Sequence, residues 1–187
     1  MNGQSVARAL PVVLAGNPAE RLASLFDDHH DRLYRLARRL APSVDDALDL
    51  VQETFLKAAR FPKSIPAGAA NEEAWLVRVL INVRRDQWRK TSVRDRLDKA
   101  ALGNVTSRGR DLEAALIAKS AIWQALDVLP PRRRAIVVMN ELEGLTIPSI
   151  ASLLGITIIT VRWHLSIGRR ALAGALKAYM GDTNENH

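Results

Sequence analysis

From Leu22 onward the apolar side chains Leu22, Leu25, Phe26, Leu33, Leu36, Ala37 and Leu40 fall at helical spacing, which predicts a long amphipathic helix. Pro42 and Ser43 interrupt it, and Ser43 or Asp45 suits the N-cap of a second helix reaching about Arg60, with Leu48, Val51 and Phe55 on one face. Pro62, Pro66 and Gly68 mark a loop from Phe61 to Asn71. A third helix is expected from about Asn71 through Trp75 to about Lys90, with Glu72 and Glu73 against the positive end of its dipole. Between residues 91 and 111 the apolar period is lost and Gly103, Gly109 and scattered charges predict a linker, part of it helical. Leu112, Ala115, Leu116, Ile122, Trp123 and Leu126 then define a helix ended by Pro130-Pro131, and Arg132 to Leu142 a further helix stopped by Gly144. Strand-like alternation is not sustained anywhere and no repeat of solenoid length occurs, so the fold class expected is all-α.

A length of 187 residues suits two helical domains of roughly 70 to 80 residues each. The pattern places a loose leader at 1–20, a first domain at 21–91, a flexible linker at 92–111, a second domain at 112–180 and a polar tail at 181–187. Two groups of residues carry candidate chemistry. On the third helix Arg78, Asn82, Arg85 and Arg89 sit at i, i+4, i+7 and i+11, which lines three guanidinium groups and an amide along one stripe. From Trp75 to Lys99 there are eight basic and three acidic residues, an excess of five out of a net charge of +7 for the chain. Such concentration suits a surface that tracks phosphates. Trp75 is read as core, and Trp88 as the aromatic placed to stack on an unpaired base.

The second group is a stretch of turn and cap signals from Thr146 to Thr157. Thr146 caps, Pro148 sits in the first turn, Ala151 is small, Gly155 suits the left-handed turn and Thr157 caps again. Two helices crossing tightly are expected, with Ile150, Leu154, Ile156, Val161 and Leu165 filling the wedge between them, and this is the pattern of a helix-turn-helix. The second helix, Ile158 to about Tyr179, carries Arg162, Arg169, Arg170 and Lys177 and no acidic residue, the charge profile of a recognition helix. His164 lies on it as a surface or groove contact.

Composition narrows the function class. With 48% hydrophobic and 25% charged residues the chain is a folded protein rather than a disordered one. It has no cysteine, which removes disulfides, thiolate zinc sites and cysteine nucleophiles and fits a reducing cytoplasm. The run Ala9 to Ala15 is too short and too proline-interrupted for an export signal, and no stretch approaches the roughly 20 apolar residues of a membrane span, so no membrane insertion is expected. His29 and His30 stand beside Asp27, Asp28 and Asp31, but adjacent histidines point about 100° apart on a helix, so neither a metal nor a cofactor is expected. No zinc-ligand spacing, nucleophile triad or phosphate-cradling glycine loop is visible, so the chain is not read as an enzyme.

Two sets of blocks, in one order, resemble the extracytoplasmic-function (ECF) group of sigma factors. The first set is Leu33-Tyr34-Arg35-Leu36-Ala37-Arg38-Arg39, then Leu48-Asp49-Leu50-Val51-Gln52-Glu53-Thr54-Phe55, then Trp75-Leu76 with Asn82 seven residues after the tryptophan. The second is Leu129-Pro130-Pro131-Arg132-Arg133-Arg134, Glu143-Gly144-Leu145-Thr146, Ile150 to Ile156, Thr160-Val161-Arg162 and Arg169-Arg170-Ala171-Leu172. The resemblance implies that Asp49, Gln52 and Glu53 dock on core RNA polymerase, on its beta and beta-prime subunits. It implies that Arg78, Asn82, Arg85, Trp88 and Arg89, with the preceding loop Pro62 to Asn71 forming a base-capturing pocket, read and melt promoter DNA near minus ten. It assigns the element near minus thirty-five to Thr157, Thr160, Arg162, Trp163, His164 and Arg169. A regulating anti-sigma factor is implied as a further partner. The chain departs from the family pattern at Leu48, where an acidic residue is usual, at Ser149 in place of glutamate, at Ile159 in place of glycine, and at Trp163, His164 and Ile167, where serine and arginine are frequent. The alternative is a helix-turn-helix regulator that binds duplex DNA without polymerase, which leaves the Asp49 to Phe55 and Trp75 to Asp86 blocks without a use.

Overall fold

The computed structural model describes residues 17–101 and 123–184, the side chains of 92–101 and 178–184 excepted. The leader to residue 16, the second half of the linker at 102–111, and the start of the helix expected from Leu112 lie outside the described residues. Among the described residues there is no strand. The elements are α1 (Pro18–Leu40), α2 (Val44–Arg60), a single 3-10 turn (Pro62–Ser64), α3 (Ala69–Ala101), α4 (Pro131–Glu141), α5 (Ile147–Leu154) and α6 (Ile158–Asn184), with residues 123–127 also helical.

Local signals fix most of the ends. Asn17 Oδ1 accepts from the Ala19 amide at 3.1 Å and Pro18 occupies the first turn, so α1 begins four residues before the apolar period at Leu22 makes it visible. Ser43 Oγ accepts from the Asp46 amide at 3.0 Å and caps α2. α3 runs to Ala101, ten residues into the stretch whose lost apolar period reads as linker. Residues 91 to 101 contain neither glycine nor proline and are rich in arginine, lysine, leucine and alanine, which favour helix without any apolar face. In the same way α6 continues to Asn184, into the segment expected as a tail.

The helices bury stripes at i, i+3, i+4 and i+7. On α2 the buried set is Ala47, Leu50, Val51, Thr54, Phe55 and Ala58. Leu48, expected on the same face as Val51 and Phe55, is 47% exposed. It stands about 100° round the helix from Ala47, at the rim of the stripe, where it borders a groove between α1 and α2. α4 is buried without a break from Arg134 to Met139, because it touches α1 and α3 on one side and α5 and α6 on the other. The two lobes, α1–α3 and α4–α6, therefore share one continuous core.

Polar bonds gather at the end of α1, from the second lobe through Arg134 and Glu143 and from within the first through Arg84. The last carbonyls of α1 have no partner within their helix, and two arginines supply one: Arg134 Nε donates to Arg39 O at 2.8 Å, and Arg84 Nε donates to Leu40 O at 3.0 Å. Burial lowers the pKa of both guanidinium groups from the ordinary arginine value; the neighbouring Arg134 lowers Arg84 further, and Asp127 partly offsets the burial of Arg134. Arg39 Nη1 also donates to Glu143 Oε1 at 2.9 Å.

Gly168 sets the closeness of α6 to α4, since a Cβ there would lie 2.6 Å from Val137 Cγ2 and 3.4 Å from Arg133 Cγ. At Gly174 nothing stands within 4 Å. Gly168→Ala is expected to lower stability by about 1–2 kcal/mol, the overpacking strain exceeding the gain in helix propensity. Gly174→Ala is expected to raise it by up to about 1 kcal/mol, again from helix propensity. Urea unfolding of the two variants against the parent checks the pair, and equal effects would show that the α4–α6 contact is looser than described.

Candidate nucleic-acid and protein interfaces

The polar set on α2 is presented together. Asp49, Gln52 and Glu53 are all exposed, and Glu53 Oε2 accepts from Gln87 Nε2 of α3 at 3.3 Å. Beside them the exposed Phe26, Leu48 and Leu56 border a groove of about 350 Å³ between α1 and α2, into which Val51 and Phe55 also project. A charged edge next to an apolar groove is the form of a protein-docking face, with apolar anchors inside a polar rim.

The stripe on α3 is divided. Arg78 is half-buried and its Nη1 donates to Leu153 O at 3.2 Å, so the second lobe holds it. Asn82, Arg85 and Arg89 are exposed, and Trp88 is half-buried. A cavity of about 180 Å³ at the junction of the lobes is lined by Arg78, Ile81, Asn82, Arg85, Arg132 and Leu154. Three guanidinium groups face it and no carboxylate lines it. Trp88 and Arg89 lie farther along α3, outside it. Arg132 comes from the second lobe and was not among the residues expected at this site. The start of the loop after α2 packs on α1 and α2. Ile65 is buried, Arg21 Nη2 donates to its carbonyl at 3.1 Å, and the cavity that Pro62 and Ile65 line is closed by α1 and α2 rather than by any residue of the stripe. The apolar side chain of Ile65 seats the start of the loop against the core, and residues 67–71 beyond it are exposed.

The second lobe carries the expected turn. Gly155 has φ +63° and ends α5, the Ile156 amide donates to Ala151 O at 3.0 Å, and α5 and α6 meet at 111°. This is a helix-turn-helix crossing. Thr146 and Thr157 cap the two helices, their hydroxyls accepting from the Ser149 and Thr160 amides at 3.2 and 3.1 Å. On the outer face of α6, Ile159 is 77% and Trp163 54% exposed, with Arg162 exposed between them. Thr160 is half-buried and its hydroxyl is engaged with that of Thr157 at 2.8 Å. The Arg133 guanidinium sits 5.5 Å from the centroid of Trp163, and His164 meets that ring edge-on at 4.9 Å. Arg169 is exposed yet engaged: it donates to Glu141 Oε1 at 2.7 and 2.8 Å and to Asn140 Oδ1 at 3.1 Å. An exposed pair of this kind is worth about 0–1 kcal/mol, so Arg169 exchanges it readily for another anion.

His164 is half-buried with Nδ1 out of contact with water and without a partner. Burial, then Arg133, then Arg132, lower its pKa from the ordinary 6.5. A base whose folded pKa lies below its unfolded one contributes stability that is complete above the unfolded value and is lost as pH falls below it. The melting temperature is therefore expected to decline from about pH 8 to about pH 5, and His164→Gln to make that decline shallower. Parallel melts at the two pH values check this, and an unchanged slope in the variant would contradict it.

The histidines of α1 diverge as expected from their adjacency: His29 is buried, whereas His30 Nδ1 lies 3.2 Å from Asp31 Oδ1 near the surface. Among the described residues no single helix is long and apolar enough to cross a membrane.

The chain resembles known proteins in both lobes. Residues 25–94 match the family model described as Sigma-70 region 2 and residues 119–172 the one described as Sigma-70, region 4. The ECF RNA polymerase sigma factor SigE of Mycolicibacterium smegmatis is 34% identical over 179 residues, covering 87% of this chain and 64% of that protein. SigM of Mycobacterium tuberculosis, an ECF RNA polymerase sigma factor, is 32% identical over 152 residues, 81% of this chain and 75% of its own length. Among solved structures, CnrH in complex with the cytosolic domain of CnrY superposes with a TM-score of 0.57 at 23% identity, covering 87% of this chain and 91% of that one. The sigma factor RpoE of Bartonella quintana, in complex with the anti-sigma factor NepR, gives 0.56 at 24% identity, covering 85% and 96%. At these identities the structural likeness speaks for the fold.

Proposed function

The chain belongs to the sigma-70 family, in its ECF group, and from that premise we propose that it binds core RNA polymerase and directs promoter recognition and transcription initiation. The observation that carries this reading is the pairing, in one chain, of a polar and apolar face on α2 with two basic surfaces, one on α3 and one on α6. A regulator that only binds duplex DNA needs one such surface and no docking face.

In this reading Asp49, Gln52 and Glu53 meet the beta-prime and beta subunits of core polymerase, and the apolar groove beside them takes a side chain of the partner. Asn82, Arg85 and Arg89 track the strand opened near minus ten, Arg78 joins them on releasing the Leu153 carbonyl, and Trp88 offers a ring on which an unpaired base stacks at about 1–3 kcal/mol. α6 enters the major groove near minus thirty-five with Thr157, Thr160, Arg162, Trp163, His164 and Arg169 at or beside the DNA, phosphate contacts setting position and base edges setting sequence. The protein works by binding, not by turnover, and does so in the cytoplasm, where its template is. An anti-sigma factor is the regulating partner, by analogy with the sigma factor RpoE of Bartonella quintana in its complex with the anti-sigma factor NepR.

Run-off transcription with purified core polymerase, on a promoter found by mapping transcription starts after overexpression, tests the proposal. Initiation that depends on the added chain is expected, and a chain that neither binds core nor initiates would refute it. Asp49→Ala with Gln52→Ala is expected to weaken core binding about tenfold, some 1.4 kcal/mol, leaving duplex affinity in place. Arg85→Ala with Arg89→Ala is expected to reduce promoter opening while core binding stays intact.

A further inference from the structure

We infer that the outer face of α6 reads thymine methyl groups through Ile159 and Trp163, so that the upstream promoter element of this protein is recognised by apolar contact as much as by hydrogen bonds. The inference rests on the reading of α6 as the helix that enters the major groove.

The two side chains stand at i and i+4 on one face and are 77% and 54% exposed. Ile158, at the start of the helix, is exposed as well. An isoleucine and a tryptophan held in water at the tip of a helix lose apolar contact unless something covers them. The surroundings identify what does. Arg162 and Arg170 are exposed on the same helix, Arg133 of α4 lies 5.5 Å from the Trp163 centroid, and residues 158–177 contain no carboxylate. Apolar side chains ringed by cations complement a surface that is apolar at its floor and anionic at its walls. The major groove at a thymine has that form: the C5 methyl projects into the groove and phosphates flank it, and contact with this methyl is a recognised route of direct readout. A protein partner docking here would have to be strongly acidic around an apolar centre; duplex DNA supplies that arrangement without further design.

The geometry also limits what is read. Four helical residues rise about 6 Å, close to two base steps of about 3.4 Å, so Ile159 and Trp163 reach methyls about two steps apart. Arg133 lies over the Trp163 ring and His164 meets it edge-on, contacts that favour one orientation of the ring. An oriented ring discriminates position better than a free one. Ile159 offers a base edge no hydrogen-bonding group and Trp163 only its single indole N–H, so the pair reads the groove chiefly by apolar contact and preference shifts toward thymine.

The test uses the full chain with core polymerase on the promoter found by start-site mapping, in two forms: natural, and with deoxyuridine in place of every thymine of the upstream element alone. Deoxyuridine keeps every hydrogen-bonding group and removes only the methyl. Binding of the natural duplex is expected to exceed that of the uracil form by roughly fourfold per contacted methyl, the factor that burial of one such group carries. The Ile159→Gly, Trp163→Ser double variant is expected to bind both forms with a ratio near one. Equal binding of the two forms by the parent would overturn the inference, and so would a ratio that persists in the double variant, because DNA shape rather than these side chains would then sense the methyl. Failure to bind core or to initiate on the natural template would instead bring down the reading on which the inference rests, and is scored before the uracil comparison is made.

Discussion

Arg134→Ala is expected to lower the stability of the whole protein by about 3 kcal/mol, which for a chain of this size lowers the melting temperature by roughly 6–12 °C. Arg134 is 4% exposed. Its Nε holds the carbonyl of Arg39 at the end of α1, its Nη1 pairs with Asp127, and its guanidinium lies 5.7 Å from the centroid of Trp123. Two losses differ in kind. Asp127 is half exposed and rehydrates when the arginine goes, so little charge is stranded there. The carbonyl bond is charge-assisted and partly buried, worth about 1.5–3 kcal/mol, and truncation also leaves a void where the long side chain packed between the lobes. Arg134→Met separates the two, since it fills the void and loses only the bonds; a cost of about half that of alanine is expected. Calorimetric melts of both variants check this. An alanine variant within about 0.5 kcal/mol of the parent, the ordinary range of surface substitutions, would show that Arg134 does not tie the lobes together.

Arg134 also shows where sequence reading stops. Arg132, Arg133 and Arg134 are identical in type, and the resemblance to the ECF group treats them as one run. Yet helical rotation separates them by about 100° each. Pro131, Arg134, Ala135 and Val138 stand at i, i+3, i+4 and i+7, but Ile136, Val137 and Met139 are buried as well, so the spacing separates Arg134 from Arg132 and Arg133 without marking it as buried. What spacing cannot supply is the partner: the carbonyl of Arg39 lies 95 residues away, and nothing local announces it. The same limit explains Arg78, whose i, i+4, i+7 stripe is legible while its bond to Leu153 is not. Local chemistry was fully legible at Ser43, Thr146, Gly155 and Thr157, where cap and turn depend on neighbours within a few residues. Leu48 fell between these cases: its residue type matched the stripe, but its angle put it at the rim, where burial depends on whatever covers the groove. The loop at Ile65 was visible as a loop, but not which core it would seat against.

Ile136→Ala is expected to cost about 2–5 kcal/mol and, more tellingly, to loosen both lobes at once. Ile136 is fully buried on α4, and truncation of a buried isoleucine carries both the lost transfer free energy and the cavity left behind. If the lobes were independent domains on a flexible linker, only the second would weaken. Because α4 packs on α1 and α3 as well as on α5 and α6, the cavity opens inside a core that both lobes use, and a shared core unfolds as one cooperative unit. The tryptophans make this measurable. Trp75 and Trp88 belong to the first lobe, Trp123 and Trp163 to the second, and these are the chain's four. Two reporter proteins, each keeping one pair and carrying phenylalanine at the other, give the unfolding of each lobe by fluorescence in urea. Coincident transitions are expected in the parent reporters, shifted together by Ile136→Ala. If the Trp123 and Trp163 signal moved to lower urea while the Trp75 and Trp88 signal stayed at the parent midpoint, the two lobes would be separable bodies and the contacts of Arg39, Arg78 and Arg134 across the junction too weak to couple them.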